Sequence, residues 1–131
     1  MKVIIAGSRT VTDQGYIIEA VEASGFDITE VVSGTAKGVD QMGELYAYEQ
    51  GIKTSRFPAD WKNISVPGAV VKSNRYGKYN AVAGHQRNAK MGDYADALIA
   101  VWDGKSKGTL NMVNYMEKLG KEVFIYNISK V

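Results

Sequence analysis

The sequence predicts an α/β fold in which a five-stranded parallel sheet carries helices on both faces. Three observations predict it. Short apolar runs (KVIIA, EVVS, ALIAVW, EVFIY) alternate with segments of helical period. Glycines punctuate the ends of the elements. The strongest runs are continuously apolar, as strands covered on both faces must be.

Residues 2–6 (KVIIA) stop at Gly7 and read as a buried strand. Thr12 is the expected cap of a helix over 13–24, with Asp13 in its first turn near the positive end of the dipole. Its inner stripe is Ile17, Ala20 or Val21, and Ser24, and Gly25 ends it. Residues 30–33 (EVVS) make the second strand. A Gly-containing turn at 34–40 leads into a helix with Val39, Met42, Leu45 and Tyr46 facing inwards, closing at Gly51. Residues 53–57 form a third, shorter strand.

Residues 59–80 hold Trp61, Pro67, Gly68 and Gly77 and show no sustained period. A loop of that length in a compact domain is often a lid or binding loop, so an insertion at about 62–80 is expected to close over a ligand. Helical composition returns at 81–94, and 97–102 (ALIAVW) is the strongest strand. Thr109 is the expected cap of a last helix with Met112, Val113, Met116 and Leu119 on one face. Gly120 ends that helix, and 122–126 (EVFIY) is the fifth strand. Right-handed crossovers then favour strand order 3-2-1-4-5, a Rossmann-like three-layer sandwich over 1–131 as one domain.

At 131 residues the chain can bury a core without staples. It has no cysteine, which excludes disulfides and thiolate metal sites and suits a reducing cytosol. MKVIIAGSRT is too short an apolar run for a signal peptide, and nothing approaches the roughly 20 apolar residues of a membrane helix. The expected location is therefore cytoplasmic, with no membrane partner. The net charge of +2 hides an uneven distribution: Lys53 to Lys90 contains eight basic residues and one acid, Asp60. Such a local excess attracts anions, whether a phosphorylated small molecule, a nucleic acid or an acidic protein. A solvated Lys-rich loop is the plainer alternative.

In an open parallel sheet, ligands bind at the carboxyl ends of the strands where the strand order reverses. Three distinctive loops fall there. They are Gly7-Ser8-Arg9-Thr10, Ser33-Gly34-Thr35-Ala36-Lys37-Gly38, and Asp103-Gly104-Lys105-Ser106-Lys107-Gly108-Thr109. Each combines glycine with hydroxyl and basic side chains and runs towards a helix start. Glycine admits backbone N–H groups close to a phosphate, and the helix dipole favours its charge. Tight turns need glycine in any case, so purely structural loops remain the alternative. Neither GxGxxG nor GxxxxGK[ST] occurs, which argues against a kinase-like ATPase.

GSRTVTD, VVSGTAKGVDQMGELYA, PADW, AGHQRNAKM and YADALIAVWDGKSKGT stand in this order along the chain. Together they resemble the SLOG superfamily, in particular its small standalone YspA-like bacterial and phage members. The resemblance covers all but residues 62–76 and implies a Rossmann-like fold that binds nucleotides or nucleotide-derived ligands. Within the superfamily, the DNA-processing protein A group shares a stretch similar to SGTAKGVD and binds single-stranded DNA. Lonely Guy phosphoribohydrolases cleave the N-glycosidic bond of nucleoside monophosphates, and other members sense nucleotide second messengers. The hydrolase motif with a catalytic Arg, similar to HxRKxxM, is approached by His85-Gln86-Arg87-Asn88-Ala89-Lys90-Met91. The second hydrolase motif matches only at Gly108-Thr109, and its glutamate falls on Met112. A thioether cannot do the work of a carboxylate in glycoside cleavage. Asp103, Asp40 or Glu44 are the carboxylates near enough to replace it.

Arg87 suits a phosphate clamp through its planar fork, with Asn88 beside it, or it is a plain helix-surface arginine. His85 is the sole histidine, so a histidine metal site is not expected. Asp40 fits a ribose hydroxyl or simply starts a helix. Trp61, Tyr76 and Tyr79 fit base stacking or loop anchoring. The favoured function is binding of a nucleotide or nucleotide-derived small molecule, as a sensor or sponge, with no further cofactor. A nucleotide hydrolase and a single-stranded nucleic-acid binder using Arg75-Tyr76-Gly77-Lys78-Tyr79 stay open, as does a homo-oligomer.

Overall fold

The computed structural model describes residues 1–128. In chain order the elements are β1 (Lys2–Gly7), α1 (Gln14–Ser24), β2 (Glu30–Ser33), α2 (Val39–Gln50), β3 (Lys53–Arg56), β4 (Val71–Asn74), β5 (Gly77–Asn80), α3 (Ala83–Tyr94), β6 (Ala97–Trp102), α4 (Lys107–Lys118) and β7 (Glu122–Asn127). Five strands form one sheet in the order β3-β2-β1-β6-β7, and every pairing is parallel. Counting only the strands of that sheet, this is the order 3-2-1-4-5. The fold is an α/β, Rossmann-like sandwich.

The two-residue period of β1 sorts its side chains between two cores. Val3 and Ile5 join Val31, Ile99 and Val101 beneath Ile17 and Ala20 of α1 and Val39 and Ala47 of α2. Ile4 and Ala6 join Val32, Leu98 and Ala100 beneath Met91 of α3 and Met112, Val113 and Met116 of α4. Central strands packed on both faces leave polar side chains no room, which is why β1 and β6 read as unbroken apolar runs. The chain end of α3 is held by Lys121, whose Nζ donates to the carbonyls of Gly92, Asp93 and Ala95 at 2.8, 3.1 and 2.8 Å.

Several local expectations need correction. Asp13, not Thr12, caps α1, its Oδ1 accepting from the Gly15 N–H at 2.8 Å. Thr109 does not cap α4; the helix starts at Lys107 after Ser106, and Thr109 is buried in its first turn with Oγ1 donating to Ser106 Oγ at 3.2 Å. Leu45 and Leu119 face outwards rather than into the core, at 43% and 41% exposure. For α2 the reason is Gly43. A Cβ there would lie 3.0 Å from Ile5, so the helix seats its Val39–Gly43–Ala47 face directly on β1 and turns Leu45 away.

Residues 62–80 are not structureless. β4 and β5 form an antiparallel hairpin with Lys72 opposite Tyr79 and Ser73 opposite Lys78. Asn74 Oδ1 accepts from the Tyr76 N–H at 2.8 Å, and Gly77 takes the positive φ of 114° that the tip requires. At its foot, buried Asn80 donates from its backbone to the Trp61 carbonyl at 2.7 Å and from Nδ2 to Gln86 Oε1 at 2.7 Å. Almost the whole hairpin is exposed, so no apolar alternation marks it in the sequence. Among the described residues no helix is long and apolar enough to cross a membrane.

Candidate functional site

The strand order reverses between β1 and β6, which run parallel, and the loops after β1, β2 and β6 lie at the carboxyl edge there. The first two are pressed together. Ser8 O accepts from the N–H groups of Val11 and Val39 at 3.4 and 3.2 Å. Gly38 has φ of 75°, and a Cβ on it would lie 2.4 Å from Ser8 O. Only glycine permits both the backbone angle and the approach. Ser8 Oγ is buried without a hydrogen-bond partner among the described residues.

Two adjoining cavities open above these loops and share Arg9, Ala36 and Arg87. The outer one, about 370 Å³, is lined also by Gly34, Thr35, Lys37, Pro58, Ala59 and Trp61. The inner recess, about 70 Å³, is lined also by Gly7, Asp40, Asn88, Ser106, Gly108, Thr109 and the apolar floor of Ala6, Met91 and Met112. The outer volume lies within the range of small-molecule sites. A third cavity of about 260 Å³, behind Pro58, again includes Arg87.

Arg87 projects from α3 into this junction, half-buried. Its Nη1 donates to the Gly34 carbonyl and, at 3.4 Å, to the Phe57 carbonyl. Its Nε donates to Asn88 Oδ1 at 3.0 Å, and Asn88 Nδ2 in turn donates to Gly108 O and Asn111 Oδ1 at 3.3 and 3.0 Å. Asn88 thus ties α3 to the start of α4 and fixes the guanidinium plane. Burial lowers the pKa of Arg87; Asp40 opposes that shift and the charge of Arg9 adds to it. Two guanidinium groups facing one cleft attract an anion between them.

Asp40 is 6% exposed and its Oδ2 accepts from the Ala36 N–H at 3.1 Å. Burial raises its pKa, opposed by the Ala36 bond and by Arg87, while Glu44 raises it further and Arg9 opposes. The other two carboxylates are occupied. Glu44 accepts from Ser33 Oγ at 2.6 Å and pairs with Arg56 at 3.3 Å. Asp103 Oδ1 accepts from the N–H groups of Lys105 and Ser106 at 2.8 and 3.2 Å, and the Lys105 bond is the largest cause holding its pKa below the usual carboxylate value.

The residues singled out in the sequence therefore divide. Gly7, Arg9, Gly34, Thr35, Lys37, Asp40, Arg87, Asn88, Ser106, Gly108 and Thr109 line the paired cavities. Asp103 and Lys105 instead line a separate cleft of about 600 Å³ with Asp13 and Tyr16. Ser8, Ser33 and Gly38 shape the loops from beneath, and Gly104 is an exposed turn with φ of 82°. Trp61 joins the outer cavity, whereas Tyr76 stands away at the hairpin tip. Pro58, Ala59, Met91 and Met112 are further lining residues. The first two follow β3 at the same edge, so the topology was their signal; Met91 and Met112 were marked only by the hydrolase motifs, where Met91 ends the first and Met112 takes the glutamate position of the second.

Residues 1–63 match the YAcAr family, described as the YspA, cpYpsA-related SLOG family. The uncharacterised SPbeta prophage-derived protein YoqJ of Bacillus subtilis is 35% identical over 48 residues, which are 37% of this chain and 28% of YoqJ. The X-ray structure of DNA processing protein A (DprA) from Streptococcus pneumoniae superposes with a TM-score of 0.68 at 21% identity, over 95% of this chain and 49% of that one. All three fit the SLOG superfamily. The matches span less than two thirds of either relative, and the DprA likeness is one of fold. The YAcAr match takes in the loops after β1 and β2, with Arg9 and the Gly34–Gly38 turn, and Trp61 beyond β3. Arg87 and the loop after β6 lie outside it.

Proposed function

We propose that the protein captures a nucleotide or nucleotide-derived ligand in the paired cavities. The observation that carries this reading is the convergence of Arg9 and Arg87 on a cleft whose wall is the Gly34–Gly38 turn. The phosphate lies between these guanidinium groups and Lys37, where planar forks and backbone N–H groups recognise its oxygens. Trp61, 43% exposed at the outer cavity, offers the base a stacking surface. Capture without chemistry is the expected outcome, because the resemblance to the hydrolase motif sets Met112 where that motif has its carboxylate. The test is a melting series with nucleoside 5′-monophosphates and the matching nucleosides. A ligand at 100 times its Kd adds about 2.7 kcal/mol. Monophosphates are expected to raise Tm well above the effect of nucleosides; equal or absent shifts across the panel count against the site.

A second reading, binding of single-stranded nucleic acid, is favoured by the hairpin. It carries Lys72, Arg75 and Lys78, and Tyr76 is 82% exposed with the Arg75 guanidinium 4.9 Å above its ring. Exposed rings stack on bases while cations follow phosphates. The name of the structural neighbour, DNA processing protein A, accords with this reading. Replacing Lys72, Arg75 and Lys78 with Gln is expected to flatten the dependence of log affinity on log salt by about 2 for labelled oligonucleotides. An unchanged slope removes the hairpin from the interface.

A further inference from the structure

We infer that Asp40 reads the sugar of the bound ligand, making the site selective for a ribonucleotide over its 2′-deoxy counterpart. The inference rests on the nucleotide reading above and adds the class of sugar to it.

A carboxylate is the costliest side chain to bury, and one left without full hydrogen bonding is rarer still. Asp40 is 6% exposed: Oδ2 takes the Ala36 N–H, and Oδ1, which no described group hydrogen-bonds, keeps accessible surface instead of being sealed in the core. It does not pair with Arg87, since no contact within 4.0 Å joins the two charges. Asp40 lines the inner recess, not the outer cavity. The spare oxygen therefore belongs to the site rather than to the fold.

Three parts of a nucleotide compete for that oxygen. A phosphate is excluded, because an ionised carboxylate only accepts hydrogen bonds and repels a second anion. A base is excluded by size, because the recess of about 70 Å³ holds little more than a small polar group. The stacking ring of Trp61 lies in the outer cavity instead. The sugar joins base to phosphate, and its hydroxyls are small donors. A 2′-hydroxyl in the recess donates to Asp40 above the thioether floor of Met91 and Met112. Deleting it leaves the buried carboxylate unpaired, and site groups built for a hydroxyl discriminate strongly against analogues without one.

The test titrates the common ribonucleoside 5′-monophosphates and their 2′-deoxy counterparts into the wild-type protein and into Asp40→Asn by calorimetry. Asparagine keeps the fold contact, because its carbonyl oxygen can accept from Ala36 N–H. That turns the NH2 group towards the recess, where it cannot accept from a hydroxyl. Wild-type protein is expected to bind the ribonucleotide at least about tenfold more tightly, the scale of one charge-assisted hydrogen bond. In Asp40→Asn the ratio is expected to fall to about one, with the 2′-deoxy ligand binding more tightly than it does to wild type because the unpaired charge is gone. Equal wild-type affinities, or a preference that survives in Asp40→Asn, overturn the assignment of Asp40 and leave nucleotide capture standing. Absence of binding by both series in the wild-type protein overturns both.

Discussion

Arg87 donates to the main-chain carbonyl of Gly34 instead of pairing with Asp40, although both side chains crowd that glycine. A Cβ on Gly34 would lie 2.8 Å from Asp40 Oδ2 and 2.9 Å from Arg87 Nη1. The missing side chain at Gly34 is what lets a buried acid and a half-buried base share one wall of the cleft.

Gly34→Ala is therefore expected to push Arg87 from its seat. Overpacking of this kind costs about 1–3 kcal/mol of stability, and phosphate affinity should fall with it. Gly108→Ala is the contrast, because a Cβ at Gly108 meets nothing within 4 Å. Its stability should match wild type. Thermal melts with and without a nucleoside monophosphate compare the pair. Equal behaviour of the two variants would mean that the crowding at Gly34 does not govern the site.

Thr35 is the one residue other than glycine with positive φ among those described, at 65°, and it lines the outer cavity. A β-branched side chain in that region is strained by about 1–3 kcal/mol. Thr35→Gly is expected to gain ~1 kcal/mol in denaturant unfolding after the added chain entropy of glycine, while Thr35→Ala gains little. A loss of stability in Thr35→Gly would show that the loop holds no strain there.

How much of this was legible beforehand follows the burial. β1 and β6 announce themselves because both their faces are covered, and the loops at the switch follow from topology once those strands are placed. Helix faces were read less well. Gly43 and Ala47, not Leu45, meet the sheet, and a pattern of large apolar residues cannot see a contact made by a missing side chain. The hairpin was invisible because its strands bury almost nothing and are held by Asn74 and Asn80. Arg87 was singled out by its planar fork and by the resemblance to the HxRKxxM motif, and Asp40 and the glycine loops by residue type and place; the fold brings these residues to one edge. That Asp103 and Glu44 are occupied elsewhere, and Asp40 is not, depends on distances across the fold.

Asp40 also makes a stability prediction with a pH signature. Its folded pKa lies above the ordinary aspartate value, burial being the main cause. A carboxyl shifted that way withdraws stability as pH rises through the folded pKa, and the full cost is present above it. Asp40→Asn should thus be more stable than wild type at neutral pH, and the gain should shrink as pH falls through that raised value. Urea midpoints at neutral and acidic pH measure it. A neutral-pH loss in the variant would show that the charge of Asp40 is welcome in the fold.

Trp61 supplies an optical check. Its ring lies over α3, 3.3 Å from where a Cβ on Gly84 would stand, and it borders the outer cavity. Ligand binding is expected to change tryptophan fluorescence. Trp61→Ala should abolish most of that change and weaken affinity by ~1–3 kcal/mol, the scale of one stacked base. A full signal in the variant would assign the response to Trp102 and move the base elsewhere.

The most direct measurement of the central claim is calorimetric titration of nucleoside 5′-monophosphates into wild-type protein and Arg87→Ala, with melting curves confirming that the variant is folded. A saturable heat is predicted for wild type. Arg87→Ala should weaken it by about 1.5–3 kcal/mol, or roughly 10- to 150-fold, as expected for loss of a charge-assisted contact to phosphate. Wild-type affinity retained in a folded Arg87→Ala variant would contradict the account and place the phosphate outside the Arg9–Arg87 cleft.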